Sequence, residues 1–409
     1  MTRPGGPCIA VLGGAGAMGR ITMRDLAETA PPNVELVLAD RDRRAARTVA
    51  AGLPRRVRIV QVDAGDPAAL RRGLAKATVL VNACHHDFNL RVMDAALAIG
   101  AHYVDLGGLF HVTREQLRRH GEFTRAGLLA LCGMGSAPGI VNVMARAGAA
   151  RLDRLDAIHI AVGTQTEPVA PGTALLDTSY SIHTVLDEAS QPAAVFTGGA
   201  LRFVPPLSGA EPVDFPPPVG RQFPAFTLHS ELATLPASFR SQGVRDVTFR
   251  IAFAGGLADR LRLVHALGLT QVEPIDVEGV SVIPRHVLLA LLAARRTRTA
   301  PTAAQEYEVL RVTLRGSRHG CAVEDVLDCH VPGLPEWQIG VDIDTGAPPS
   351  IVAQMIAGGS ISARGVLPPE RVVEPQPFFR ALRRRGMWIR RRSHPARLKQ
   401  PIVNGARDA

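Results

Sequence analysis

Lysine is nearly absent: Lys76 and Lys399 are the only two among 47 basic residues. One falls in a predicted surface helix and the other near the end of the chain, so lysine-imine and pyridoxal chemistry have no credible anchor. The same scarcity removes the Tyr-x-x-x-Lys pair of short-chain dehydrogenases. Tyr103, Tyr180 and Tyr307 are followed four residues on by Gly107, Thr184 and Arg311. Aromatic residues make up only 4% of the chain, which leaves few platforms for stacking nucleic-acid bases. The net charge of +10 is therefore read as arginine-biased composition, and no nucleic-acid partner is expected. Five cysteines form no C-x-x-C pair, which argues against a disulfide framework and for a reducing, cytoplasmic setting. No apolar run is long enough to span a bilayer, and the first such run is already a strand, so neither membrane nor secretion signal is expected.

What is present is organised around Cys8 to Arg20, CIAVLGGAGAMGR. Ile9 to Leu12 is an apolar strand, Gly14-x-Gly16-x-x-Gly19 a glycine turn, and Ile21, Met23 and Leu26 begin a helix. In that context the motif predicts a dinucleotide site. Gly14 permits the tight turn and Gly16 the approach of a pyrophosphate. Gly19 allows helix and strand to pack, and Ala17 and Met18 open the helix N-terminus toward the phosphates. A second strand, Val34 to Ala39, ends in Asp40, placed to accept from a ribose 2′-hydroxyl and so to favour NAD. Arg41 beside it is suited to the 2′-phosphate of NADP.

Alternating strands and helices continue to about residue 150. Asp63 and Ala64, after the third strand, are expected to flank the adenine. Asn82, Ala83 and Cys84 after the fourth, Gly107 after the fifth, and Ala137 and Pro138 after the sixth lie at the sheet's carboxyl edge, where such folds bind ligands. Beyond Arg151, strand-like runs at 155–162, 194–197, 247–253 and 308–314 predict a second, α+β domain. Helices are predicted at 348–357 and 375–385. Arg383 to Arg397 reads as a solvated basic tail, taken as flexible over 387–409.

Several stretches together resemble the saccharopine dehydrogenase-like oxidoreductases, in their lysine 6-dehydrogenase-like branch. They are GGAGAMGR (13–20), NACHHDFNLRVMDAAL (82–97), HYVDLGGLFHVT (102–113), GMGSAPGIVNVMA (133–145), YSIHTVLDE (180–188), TLHSELATLP (227–236) and GVLPPE (365–370). The resemblance implies a doubly wound Rossmann domain over 1–142, completed by 343–386. It also implies a substrate and dimerisation domain over 143–342, and a homodimer. The implied reaction is NAD(P)-linked oxidation of a C–N bond in an amino acid, or reduction of the corresponding imine. Saccharopine- or carboxynorspermidine-type reductive condensation and a catalytically silent NAD-binding regulator stand as alternatives.

Amine oxidation needs a proton acceptor beside the departing hydride. Asp105 ends a strand at the carboxyl edge, and His85 and His86 occupy the loop expected at the nicotinamide. His229-x-Glu231 places two polar groups on one face if extended. Arg221, Arg240, Arg245 and Arg250 are candidates for a substrate carboxylate clamp. Cys84 to Asp87 carry metal-ligand chemistry, but consecutive residues seldom converge on one ion, so no metal is expected.

Overall fold

The computed structural model describes residues 6–165, 176, 181–295 and 306–395. The first half forms β1 (Cys8–Leu12), α1 (Ala17–Thr29), β2 (Glu35–Asp40), α2 (Arg43–Ala51), β3 (Arg58–Gln61), α3 (Pro67–Gly73), β4 (Val79–Asn82), α4 (Asn89–Ile99), β5 (His102–Asp105), α5 (Leu109–Arg118), α6 (His120–Arg125), β6 (Leu129–Leu131) and α7 (Ile140–Ala149). The inner strands are continuous apolar runs because helices cover both faces. Asp42 and Asp66 start α2 and α3 by accepting from the free N–H groups of the first turn.

A second sheet follows. It includes β7 (Arg154–Gln165), β8 (Ala193–Thr197), β9 (Ala200–Val204), the short β12 (Ala225–Phe226) and β13 (Asp246–Ala252), while the short β10 (Val213–Asp214) and β11 (Arg221–Gln222) pair only with each other. A hairpin, β14 (Ile275–Val277) and β15 (Val280–Val282), precedes β16 (Tyr307–Arg318) and β17 (Cys321–Val331). Helices α8 (Ile182–Ser190), α9 (Glu231–Ser238), α10 (Leu257–Ala266) and α11 (Pro284–Arg295) are interspersed. The chain then adds α12 (Ile343–Ala357), β18 (Gly365–Leu367), α13 (Pro369–Val372), α14 (Pro375–Arg383) and β19 (Trp388–Pro395). The second sheet is mixed, in the order β19-β17-β16-β7-β13-β8-β9, with β7 and β13 parallel and its other neighbours antiparallel.

The first sheet runs β18-β6-β5-β4-β1-β2-β3, every pair parallel. Strand order reverses at β1, between β4 and β2, which is where a doubly wound sheet opens a ligand crevice. Its last strand, β18, comes from near the end of the chain. Helix α12 lies along α1: Thr22 Oγ1 donates to the Gly346 carbonyl at 2.7 Å, and a Cβ on Gly346 would fall 2.5 Å from Ile21. Beneath them the buried Asp25 accepts from Arg385 at 2.5 and 2.7 Å and from Ser350 at 2.5 Å. One apolar cluster runs from Ile9 and Ile21 through Val141 and Met144 to Leu310 and Phe378, so the two sheets share a core across α7.

The expected flexible tail is corrected over 388–395. Those residues form β19, paired antiparallel with β17. Arg391 reaches Asp325 at 2.8 Å and Arg392 reaches Asp328 at 2.6 Å, so the basic run answers acids on the neighbouring strand. Residues 396–409 lie outside the described residues.

Candidate active site

The glycine turn fits a dinucleotide pyrophosphate, with the roles of its glycines partly reassigned. Positive φ falls on Gly13 (+73°), not on Gly14. Gly14 is required because a Cβ there would press on Leu38 at 2.9 Å. At Gly19 a Cβ would stand 2.0 Å from the Gly13 carbonyl. At Gly16 a Cβ would meet only that carbonyl, so its outer side stays open for a phosphate. Helix α1 has no side-chain cap and no acid in its first turn, which leaves the N–H groups of Ala17, Met18 and Gly19 for an anion. Asp40 ends β2 and draws the turn in by accepting from Ala15 N at 3.0 Å. Asp63 accepts from Gly65 N at 2.7 Å, and the buried Ala64 follows it. Cys84 packs beneath Gly13. Burial, with the charges of Asp40 and Asp63, pushes its thiol up to about 12, so it is held as a thiol.

The loops after β4, β5 and β6 are stitched by a buried polar network. Asn82 donates to Asn89 Oδ1 at 2.9 Å and accepts from Cys84 N at 3.2 Å, and Asn89 donates to the Gly107 carbonyl at 3.1 Å. Pro138, beside Ala137, lies over Gly107 and Gly133: a Cβ on either would fall 3.0 or 2.8 Å from its ring. At the centre, Asp105 accepts from Gly133 N at 2.7 Å, Gly107 N at 3.0 Å and Gln116 Nε2 at 2.6 Å. Burial pushes the Asp105 carboxyl above the usual carboxylate range despite these donors. Asp105, expected as a proton acceptor, already accepts through both oxygens, from two backbone N–H groups and from Gln116. Its donors tie the loops after β5 and β6 to helix α5.

Facing this edge, the second domain brings a cluster of acids and imidazoles. His229 lies just ahead of α9, stacked on Phe249 of β13 at 3.7 Å between ring centroids. Its Nδ1 is 2.9 Å from Glu231 Oε2 and its Nε2 is 3.3 Å from Glu188 Oε1, on α8. Burial alone would lower the imidazole, but Glu231 and Glu188 outweigh it and raise it to about 10. His229, expected to take part in proton transfer, thus lies between two carboxylates that favour its charged form. Glu231 and His229 do meet, across the start of a helix and not on the face of an extended segment. Glu231 Oε1, Ser230 Oγ and Thr227 Oγ1 are buried without a hydrogen-bond partner among the described residues. A Cβ on Gly107 would lie 4.0 Å from Ser230 Oγ, which sets this trio against the nicotinamide-side loops.

The His85–His86 loop joins the same cluster. The two rings lie 3.9 Å apart, and His86 Nε2 faces Asp187 of α8 at 3.6 Å. Burial and the adjacent His85 hold His86 below the usual imidazole range, against the pull of Asp87 and Asp187. Asp187 is also held by Arg285 of α11. Arg221, Arg240, Arg245 and Arg250 do not converge here. Arg250 pairs with Glu211 and lies over Phe226, while Arg221 faces Asp214 at the surface. Sequence reading singled out none of Asp187, Glu188, Thr227, Ser230 or Arg285. The available signal was His183 and Asp187, one helical turn apart in a stretch otherwise apolar on that face.

These features are those of a two-domain dinucleotide-dependent oxidoreductase, with acids of the second domain set against the ligand edge of the first. Comparison with known proteins agrees. A saccharopine dehydrogenase NADP binding domain matches residues 9–131, and a saccharopine dehydrogenase C-terminal domain matches 135–387. The chain belongs to the saccharopine dehydrogenase family, and its cofactor is NAD(P). It is 24% identical over 322 residues to carboxyaminopropylagmatine dehydrogenase of Synechocystis sp. (strain ATCC 27184 / PCC 6803 / Kazusa), covering 76% of this chain and 78% of that one. In fold it is similar to the saccharopine dehydrogenase (L-Glu forming) of Saccharomyces cerevisiae. The TM-score is 0.73 and the identity 17%, over 95% of this chain and 100% of that one. It is also similar to the homospermidine synthase of Legionella pneumophila, solved with NAD, with TM-score 0.64 and 13% identity over 98% and 96% of the two chains. Among the described residues no helix is long and apolar enough to cross a membrane.

Proposed function

We propose that this protein interconverts an amine and an imine on a substrate carrying a second cationic nitrogen, in the direction of reductive condensation. The observation that carries the reading is the unpartnered, buried Glu231 Oε1 with the hydroxyls of Ser230 and Thr227, set against Gly107. Buried acceptors of this kind are costly unless a ligand donates to them, and an ammonium or guanidinium does so. Four acids, Asp87, Asp187, Glu188 and Glu231, outnumber the cations Arg285 and His229 around the pocket. None of the four arginines expected to clamp a carboxylate lies there. A bound nicotinamide supplies or accepts the hydride. The backbone of Gly14 to Gly19 would hold its pyrophosphate, and Asp40 the adenosine ribose. Glu231 Oε1 accepts the proton that nitrogen loses on oxidation or returns it on reduction. His229 holds Glu231 in place through its second oxygen.

The names of the relatives support an amine partner joined to a carbonyl compound. L-Lysine, with its terminal ammonium, satisfies the same acceptors, so lysine 6-dehydrogenase-like oxidation is the competing form of this reading. A cytoplasmic homodimer accompanies it, supported by the exposed apolar side chains of Leu263, Leu267, Val280 and Leu291 on the second domain. Reduced-cofactor absorbance, followed in both directions, tests the proposal. Consumption with a diamine or agmatine plus a semialdehyde acid supports condensation. Production from L-lysine alone reassigns it to oxidation. Turnover that survives Glu231→Gln unchanged overturns the role of Glu231.

A further inference from the structure

The His85–His86 loop and α8 contain a second set of converging atoms, in which the proposed amine chemistry gives neither imidazole a role. Ligand-capable atoms of His85, His86 and Asp187 all lie within 4.8 Å of one another. His86 Nε2 and Asp187 Oδ2 are 3.6 Å apart, beyond a good hydrogen bond. That gap is close to the roughly 3.4 Å separating two ligand atoms held tetrahedrally at about 2.0–2.1 Å from a zinc-like ion.

Each end of the set is held from behind. His85 Nδ1 lies 3.1 Å from Asp87 Oδ2, which directs its N–H there and leaves Nε2 as a bare lone pair. That Nε2 is buried and has no hydrogen-bond partner among the described residues. Asp187 gives one oxygen to Arg285, whose Nε is anchored on the Thr270 carbonyl at 2.8 Å, and turns the other toward His86. A carboxylate behind an imidazole, with the imidazole's far nitrogen unused, is the supporting arrangement of a metal-binding histidine.

We propose that His85, His86 and Asp187 form a site for a divalent transition-metal cation of zinc type. Two imidazoles and one carboxylate suit such an ion by donor type. Three protein ligands leave coordination positions open to water or to a substrate heteroatom. The expectation of no metal weighed only the consecutive residues 84–87, whereas the third ligand comes from a helix about a hundred residues later. The site shares Asp187 and Asp87 with the acids counted above but does not include Glu231, and metal uptake is read without any amine present.

The test uses the full-length protein after chelator dialysis, titrated with Co²⁺ as a spectroscopic probe. The expected result is uptake of one equivalent with visible bands of a low-coordinate nitrogen and oxygen site, displaced by Zn²⁺, and a raised melting temperature. His85→Ala and Asp187→Asn should each weaken binding by at least about 100-fold. Should Asp187→Asn misfold with Arg285 stranded, His85→Ala decides alone, because Nε2 bonds to nothing and the partner of Nδ1, Asp87, is exposed. No stoichiometric uptake by the wild type, or uptake that His85→Ala leaves unchanged, overturns the proposal. Protection by methylammonium in place of the metal ions would likewise reassign the cluster to an amine.

Discussion

His229→Gln is the sharpest probe of the acid-lined pocket. The wild-type imidazole is raised to about 10 from an unfolded value near 6.5. A raised histidine stabilises fully below the unfolded value and loses that contribution as pH climbs from about 6.5 through about 10. The shift corresponds to roughly 4 kcal/mol at neutral pH, and removing one partner from a buried charge cluster costs about 3–5 kcal/mol. The variant should therefore lose several kcal/mol at neutral pH by denaturant titration followed by circular dichroism. The gap to wild type should narrow as pH approaches 10, and the variant should gain stability toward acid as its stranded carboxylates take up protons. Glutamine keeps most of the bulk over Phe249, so stacking is not the main loss. His229→Gln/Glu231→Gln should recover part of the stability, since it removes one of the two uncompensated charges. A single variant within 1 kcal/mol of wild type at neutral pH, or a gap that widens with pH, would refute the reasoning.

Asp105→Asn should destabilise by about 2–3 kcal/mol and weaken cofactor binding, because its amide turns a donor toward donors now facing two acceptors. Melting temperature and cofactor fluorescence read this out, and a stable variant losing only kcat would restore Asp105 as the proton acceptor. Asp40→Ala should cost NAD about tenfold in affinity and improve NADP relative to it, by isothermal titration with both. A wild type that already prefers NADP would assign the adenosine ribose to Arg41 instead.

The cofactor half was legible because its signals are local. A strand, a glycine turn, a helix and a terminal Asp40 occupy one short stretch, and the loops after β4, β5 and β6 follow from alternation. What local pattern could not give was the direction of a side chain. Asp105 looks the same in sequence whether its carboxylate faces a ligand or three backbone and amide donors. The arginines at 390–392 read as a solvated run until β17 supplies Asp325 and Asp328 across the strand pair. The pocket itself needed Asp187 and Glu188 of α8 to meet the His85–His86 loop. That meeting depends on how the second sheet seats against the first, and no periodicity encodes it.

The late return of the chain has a consequence for how the molecule is made. Strand β18 fills the free edge of β6, and Arg385 neutralises Asp25 beneath α1. During translation the nucleotide-binding sheet therefore emerges with one edge unpaired and one acid stranded, and stays so until the whole second sheet up to β17 has been made. Its first domain to be synthesised is among the last to be finished. A circular permutant that begins at the head of α12 and runs on into β1 would place α12, β18 and Arg385 ahead of α1. It would bring Arg385 and Asp25 close in sequence, so that the acid could be neutralised as soon as α1 forms, at the cost of carrying β19 away from β17.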